Sequence, residues 1–241
     1  MIKPEVSVGT PVHSRQVPYL ILFDCDGTLM DSHIAIVKAM QKAFCHFSLP
    51  EPSEKAVFEV IGLSLDRAIV QLADSRDMVE EIKLAYRENY RAAESELKLY
   101  PDVYGTLQVL RQRGYWLGVV TGKSMAGLQR VLDVFDLQDY FYVLRTADCC
   151  NSKPHPAMVL ECMAEMGVDT AQTCVVGDAL FDVQMAHAAG VAALGVSFGV
   201  SDSDELKHAG AMAVVDDFSD LLTYFPPLPD RQLSTTMAST L

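Results

Sequence analysis

Six short apolar runs punctuate the chain: "YLILF" at 19–23, "WLGVVT" at 116–121, "YFYVL" at 140–144, "TCVVGD" at 173–178, "VAALGVS" at 191–197 and "AMAVV" at 211–215. Between the later runs lie segments of helical periodicity at about 102–113, 124–134, 155–166 and 179–189. Buried strands that alternate with helices are joined as βαβ crossovers, so the expected fold is α/β, with a doubly wound parallel sheet. The rhythm breaks once. From 38 to 99 only helical stretches are legible, among them "DMVEEIKLAYRENYRAAESELK", for which Asp77 is the expected N-cap. The expected organisation is therefore a core of residues 18–37 and 100–223, a helical insertion at 38–99 after the first strand, and flexible tails at 1–17 and 224–241, where proline and small polar residues gather.

With 241 residues, half of them hydrophobic, the chain can bury one substantial core plus a smaller accessory unit. Nineteen Lys and Arg against 32 Asp and Glu give a formal charge of −13, and no basic block occurs, which argues against a nucleic-acid partner. The apolar runs are far shorter than the roughly 18 residues of a membrane span, so no membrane association is expected. The opening "MIKPEVSVGTPVHSRQ" carries prolines and polar residues where a signal peptide has an apolar stretch, and the expected location is cytoplasmic. The cysteines at 25, 45, 149, 150, 162 and 174 form no CxxC pair, and most sit in or beside apolar runs as small hydrophobes. The adjacent Cys149 and Cys150 carry no assigned role.

Chemistry in a doubly wound sheet collects at the carboxyl ends of the strands. There the first run is followed by Asp24 and Asp26, the second ends in Thr121 and Gly122, and "TCVVG" leads into Asp178, with Asp182 one helical turn later. "SKPHP" at 152–156 places Lys153 just ahead of a helix opened by prolines. Several carboxylates in one crevice need compensating positive charge, which a lysine and a divalent cation supply. Ligation by a few carboxylates, completed by water, suits Mg²⁺ better than zinc or calcium.

These four pieces together resemble the signature of the haloacid dehalogenase superfamily, in particular its phosphoglycolate phosphatase-like members. "DCDGTLMDS" matches the DxDGTLxDS pattern, "VVTGKS" the strand that ends in Thr or Ser, "SKPHP" the lysine motif, and "VGDALFDVQMAHAAG" the GDxxxD motif followed by AxxAG. The insertion at 38–99 falls where similar proteins carry a helical cap domain. The resemblance implies a Mg²⁺-dependent phosphatase that acts on a small phosphorylated metabolite. Its implied metal ligands are the Asp24 carboxylate, the Asp26 backbone carbonyl and the Asp178 carboxylate, with Asp182 just outside that set.

Phosphoryl transfer assigns each residue a role. Asp24 is the candidate nucleophile and forms an aspartyl-phosphate, while Asp26 protonates the leaving oxygen and then activates water. Gly27 permits the tight turn between them. The Thr121 hydroxyl, the Gly122 amide and Lys153 bind the phosphate. In the insertion, "VIGLSLDRAI" at 60–69 resembles a cap segment facing the active site, and Arg67 is the candidate for binding an anionic group of the substrate.

Each residue also has a plainer reading: Asp178 and Asp182 as helix N-caps, Thr121 as a β-branched strand end, Lys153 and Arg67 as solvated cations. Relative to the superfamily pattern, Cys25 replaces an aliphatic residue, Gly122 an asparagine and Ala179 a hydroxyl residue. A haloacid dehalogenase proper lacks the second aspartate, so Asp26 argues against that chemistry. A phosphomutase or pyrophosphatase of the same superfamily is the alternative enzyme, and a catalytically weak ligand-binding or regulatory domain the alternative from another class. The sequence specifies neither the ester nor an oligomeric state.

Overall fold

The computed structural model describes residues 19–228. In chain order the elements are β1 (Leu20–Phe23), β2 (Met30–Asp31), α1 (His33–His46), α2 (Glu54–Phe58), α3 (Leu65–Ala73), α4 (Val79–Ala93), β3 (Lys98–Leu99), α5 (Val103–Gln112), β4 (Trp116–Thr121), α6 (Met125–Val134), β5 (Val143–Thr146), α7 (Ala157–Met166), β6 (Thr173–Gly177), α8 (Leu180–Ala188), β7 (Ala192–Val196), α9 (Ser203–His208), β8 (Ala213–Val215) and α10 (Leu221–Tyr224).

The main sheet runs β5-β4-β1-β6-β7-β8, with every neighbouring pair parallel. The chain first builds outward from β1 through β4 to β5, then returns to the other side of β1 for β6, β7 and β8. Strand order thus reverses at β1, and the crevice beyond its carboxyl end is where such sheets bind ligands. Phe23 pairs with both Val119 and Val176, so the three central strands end nearly level and the residues after them are brought together.

The buried β1 feeds two cores through strand alternation. Ile21 and Phe23 join the cluster with Leu107, Leu117 and Phe218 on one face, and Leu20 and Leu22 join the cluster with Met158, Cys162 and Val183 on the other. A third cluster, which includes Ile36, Met40, Phe44, Ile61, Ile69 and Tyr90, holds α1 to α4 together as a separate helical cap. Cap and sheet are joined at a neck, where β2 and β3 pair antiparallel through Met30 with Leu99 and Asp31 with Lys98.

Several expected boundaries move. The first helix of the third cluster begins at His33, inside the segment expected to belong to the core, because α1 is one uninterrupted helix whose Ile36 and Val37 pack with Ile61, Ile69 and Tyr90. Asp77 is not an N-cap. A turn through the left-handed residues Asp74 and Met78 starts α4 at Val79, and the Asp77 amide donates to the Ser75 hydroxyl instead. The strand expected at 140–144 lies at Val143–Thr146, because its register is set by Gly118 pairing with Val143.

Residues 224–228, assigned from composition to the C-terminal tail, pack on the core. Phe225 is buried against Tyr115, whose hydroxyl donates to the Pro226 carbonyl, and the Leu228 amide donates to the Arg113 carbonyl. The expectations for 1–17 and 229–241 lie outside the described residues. Cys25, Cys162 and Cys174 are buried, as apolar packing requires, while Cys45 and Cys149 are exposed. No helix among the described residues is long and apolar enough to cross a membrane.

Candidate active site

The strand hydrogen bonding of β1 continues one residue past its end, where the Asp24 amide donates to the Val176 carbonyl at 2.9 Å. The chain then folds back sharply, with the Gly27 amide donating to the Met30 carbonyl and the amides of Leu29 and Met30 both donating to the Cys25 carbonyl. Gly27 has φ +80°, and a Cβ there would lie 2.1 Å from Oδ2 of Asp178. Glycine is thus required for its backbone conformation and for the room it leaves to a neighbouring carboxylate.

Behind this turn lies a fully buried charge cluster. Lys153 Nζ stands 2.7 Å from Asp24 Oδ1 and 2.6 Å from Asp182 Oδ1, and none of the three side chains is more than 1% exposed. Oδ2 of Asp182 also accepts from the Ala179 amide. The N-cap of α8 is Ala179, with Asp182 at the third helical position, so the N-cap reading does not hold for Asp182, while the charge pair with Lys153 does. Asp178 accepts from the Thr28 hydroxyl at 2.8 Å and the Val200 amide at 2.9 Å, with His33 Nε2 at 3.8 Å.

Three aspartates face one lysine here. Burial, reinforced by Asp182 and Asp178, pushes the Asp24 carboxyl well above the usual carboxylate range despite Lys153, and Asp182 is raised in the same direction. Burial alone would lower Lys153, but Asp182 and Asp24 override it and hold the ammonium charged.

Oδ2 of Asp24 is buried and has no partner among the described protein atoms. Asp24, Asp178 and Asp182 each offer an oxygen, and the three lie within 4.8 Å of one another. An orphaned buried carboxyl oxygen beside a second carboxylate fits a small hard cation. Of the three, only Asp24 keeps an oxygen with neither a hydrogen-bond nor an ion-pair partner among the described residues, since Asp178 accepts from Thr28 and Val200 and Asp182 is shared between Lys153 and the Ala179 amide.

A second charge pair faces the cap. Asp26 Oδ1 accepts from the Ser32 hydroxyl at 2.5 Å and lies 2.9 Å from Lys123 Nζ. Lys123 in turn donates to the Tyr90 hydroxyl on α4 at 3.0 Å and stands 4.6 Å from the centre of that ring. Burial would lower this ammonium too, but Asp26 outweighs it and holds Lys123 charged well above its ordinary range.

Thr121 is buried at the end of β4, and its hydroxyl accepts from the Lys123 amide at 3.3 Å. At Gly122 a Cβ would come within 2.3 Å of the Leu63 carbonyl and 2.8 Å of the Gly62 carbonyl. The cap loop rests directly on the core loop. The glycine found in place of asparagine is what allows that approach.

Between cap and core a cavity of about 120 Å³ opens on Asp24, Asp26, Thr121 and Gly122. Its cap side is lined by apolar residues of α1 to α4 together with Arg87 and Tyr90. Lys153, Asp178 and Asp182 lie outside this lining. Arg67 is exposed on α3, donates to the Lys153 carbonyl at 3.1 Å, and is also absent from the lining.

Sequence reasoning assigned no role to Thr28, Ser32, His33, Lys123, Tyr90 or Arg87. The first four lie in or beside the motifs "DCDGTLMDS" and "VVTGKS", so their placement at the strand ends was the available signal. Tyr90 and Arg87 belong to the cap helix α4, far along the chain from both motifs, and only the folded cap brings them near.

Residues 21–196 match the family model described as haloacid dehalogenase-like hydrolase. The chain is 36% identical over 211 residues to the probable phosphatase IndB of Dickeya dadantii, covering 84% of this chain and 91% of that protein. It is 34% identical over 216 residues to a phosphoglycolate phosphatase of Pasteurella multocida, covering 85% of this chain and 96% of the relative. The crystal structure of a predicted phosphoglycolate phosphatase from Haemophilus somnus superposes with a TM-score of 0.79 at 29% identity, covering 86% of this chain and 97% of that one. With its parallel sheet, its strand-end aspartates and its buried lysine, the chain belongs to the haloacid dehalogenase-like hydrolase family, among relatives named as phosphatases.

Proposed function

We propose that this protein is a Mg²⁺-dependent phosphatase that hydrolyses a small phosphate monoester through a phosphorylated Asp24. The observation that carries this reading is the Asp24 carboxylate, paired with Lys153 through one oxygen, unpartnered at the other, and opening on a cavity that Asp26 also lines. Several relatives are named for phosphoglycolate, which makes it the first ester to assay.

Asp24 and Asp178 would hold the ion through carboxylate oxygens, with the Asp26 carbonyl as the third protein ligand. Bound there, Mg²⁺ supplies positive charge to the phosphoryl oxygens and keeps Asp24 ionised. Asp24 Oδ attacks phosphorus in line with the departing ester oxygen. Lys153 orients the attacking carboxylate from behind. The Thr121 hydroxyl and Gly122 amide donate to the phosphoryl oxygens.

Asp26 gives its proton to the leaving oxygen, then removes one from the water that cleaves the aspartyl-phosphate. In the closed arrangement Ser32 and Lys123 fix the direction of its carboxyl group. The cap excludes bulk water and restricts the cavity to small esters.

Phosphate release from a panel of phosphorylated metabolites, with Mg²⁺ and with chelator, tests the reading. Release that needs Mg²⁺ and stops in Asp24→Asn supports it. Full turnover in chelator would overturn it.

A further inference from the structure

The cavity wall opposite the reacting aspartates is apolar. Ile36, Met40, Val57, Ile61 and Leu65 line it, and its volume is several times what a single water needs. Three cationic side chains also reach the lining: Lys123, Arg130 and Arg87. Two are already neutralised. Lys123 is paired with Asp26, and Arg130 is held by Glu94 through both Nε and Nη2 at 3.1 Å. Arg87 has no ion-pair or hydrogen-bond partner among the described residues, although it is half-buried in the wall. It lies on α4 three residues before Tyr90, one helical turn from the side chain that meets Lys123 and through it Asp26.

Such a lining discriminates by chemistry. An apolar group on the ester covers the wall and gains about fourfold in affinity for each methylene removed from water. A half-buried guanidinium without a counter-charge favours a carboxylate, which its planar fork takes through two hydrogen bonds. A phosphorylated two-carbon acid would leave most of the apolar wall uncovered.

We propose that the preferred substrate is a phosphate monoester whose organic part is apolar, aromatic or branched, and ends in a carboxylate received by Arg87. This rests on the phosphatase reading above and names the substrate class for the same site. Arg87 is then the specificity residue of the cap, and Arg67, tied to the Lys153 carbonyl, braces cap against core.

The test compares kcat/KM at saturating Mg²⁺ for 4-carboxyphenyl phosphate, phenyl phosphate and phosphoglycolate, in the full-length protein and in Arg87→Gln and Arg87→Lys. The carboxylated aryl ester is expected to be turned over best by the unaltered protein. Its ratio to phenyl phosphate is expected to fall roughly 10- to 100-fold in Arg87→Gln, the loss of a charged hydrogen-bonded pair, and to recover in part in Arg87→Lys. Preference for phosphoglycolate, or an unchanged ratio in Arg87→Gln, would overturn the inference while leaving the phosphatase reading intact. No release from any of the three esters would overturn both.

Discussion

Lys153 and Lys123 each pair with one aspartate of the Asp24–Cys25–Asp26 turn, yet in different settings. Lys153, Asp24 and Asp182 all come from the α/β core, and their side chains pair with one another; the contact from the helical insertion that reaches Lys153 is the Arg67 hydrogen bond to its backbone carbonyl. Lys123 joins Asp26 to Tyr90, so its contacts cross from core to cap, and both members of that ion pair keep partial exposure, 11% for the lysine and 14% for the aspartate. The difference separates two functions. On the proposed mechanism the buried cluster orients the attacking carboxylate from within the core, whereas the second pair reaches α4 through Tyr90, which links the proposed proton donor to the cap.

Breaking the first pair should therefore have the largest effect. Lys153→Ala leaves buried aspartates facing one another. It is expected to cost about 3 kcal/mol of stability by urea unfolding and to lower phosphate release by on the order of 10³-fold or more. Lys123→Met keeps the length of the side chain and removes only its charge. Its expected stability cost is about 1 kcal/mol, and its kcat should fall by roughly 10- to 100-fold for alkyl esters, which need protonation, but by less for aryl esters. Equal losses for both ester types in Lys123→Met would separate this lysine from Asp26 and dissolve the distinction between the pairs.

Gly122 offers a way to disturb closure without touching a charge. Gly122→Asn must push the cap backbone at residues 62–63 outward, because even a Cβ collides with it. KM is expected to rise about tenfold, with unfolding stability changed little. Steady-state kinetics beside a thermal melt measure both.

A smaller effect follows from the raised Asp24 carboxyl. Its folded-state pKa lies above its unfolded value, so the metal-free protein holds a proton that the unfolded chain gives up. Stability of the metal-free form therefore falls as pH rises from the unfolded aspartate value through the raised one. On the proposed function Mg²⁺ displaces that proton on binding, so the rise in Tm on adding Mg²⁺ should grow as pH rises across the same window. A Tm increment independent of pH would contradict this.

The contrast between the two pairs also marks what was legible in the sequence. The buried cluster was readable because Asp24, Asp178 and Asp182 follow strand ends, while Lys153 was placed by its motif ahead of a helix opened by prolines, and the fold brings it against Asp24 and Asp182. The six strands were likewise visible as apolar runs, although β5 shifted by three residues because pairing with β4, not composition, sets its register. The cap-facing pair was not readable. Tyr90 and Arg87 lie on an amphipathic helix whose orientation is decided by packing within the cap, and β2 and β3 are too short at two residues each to show alternation.

Acid-quench trapping during turnover tests the central claim most directly. With Mg²⁺ and an excess of a reactive aryl phosphate, peptide mapping of the quenched protein should find one phosphoryl group on Asp24. The modified fraction should increase in Asp26→Asn, where water is activated poorly, and the modification should be absent with chelator. Turnover that continues at full rate in Asp24→Asn, or a phosphoryl group found on any other residue, would contradict the account.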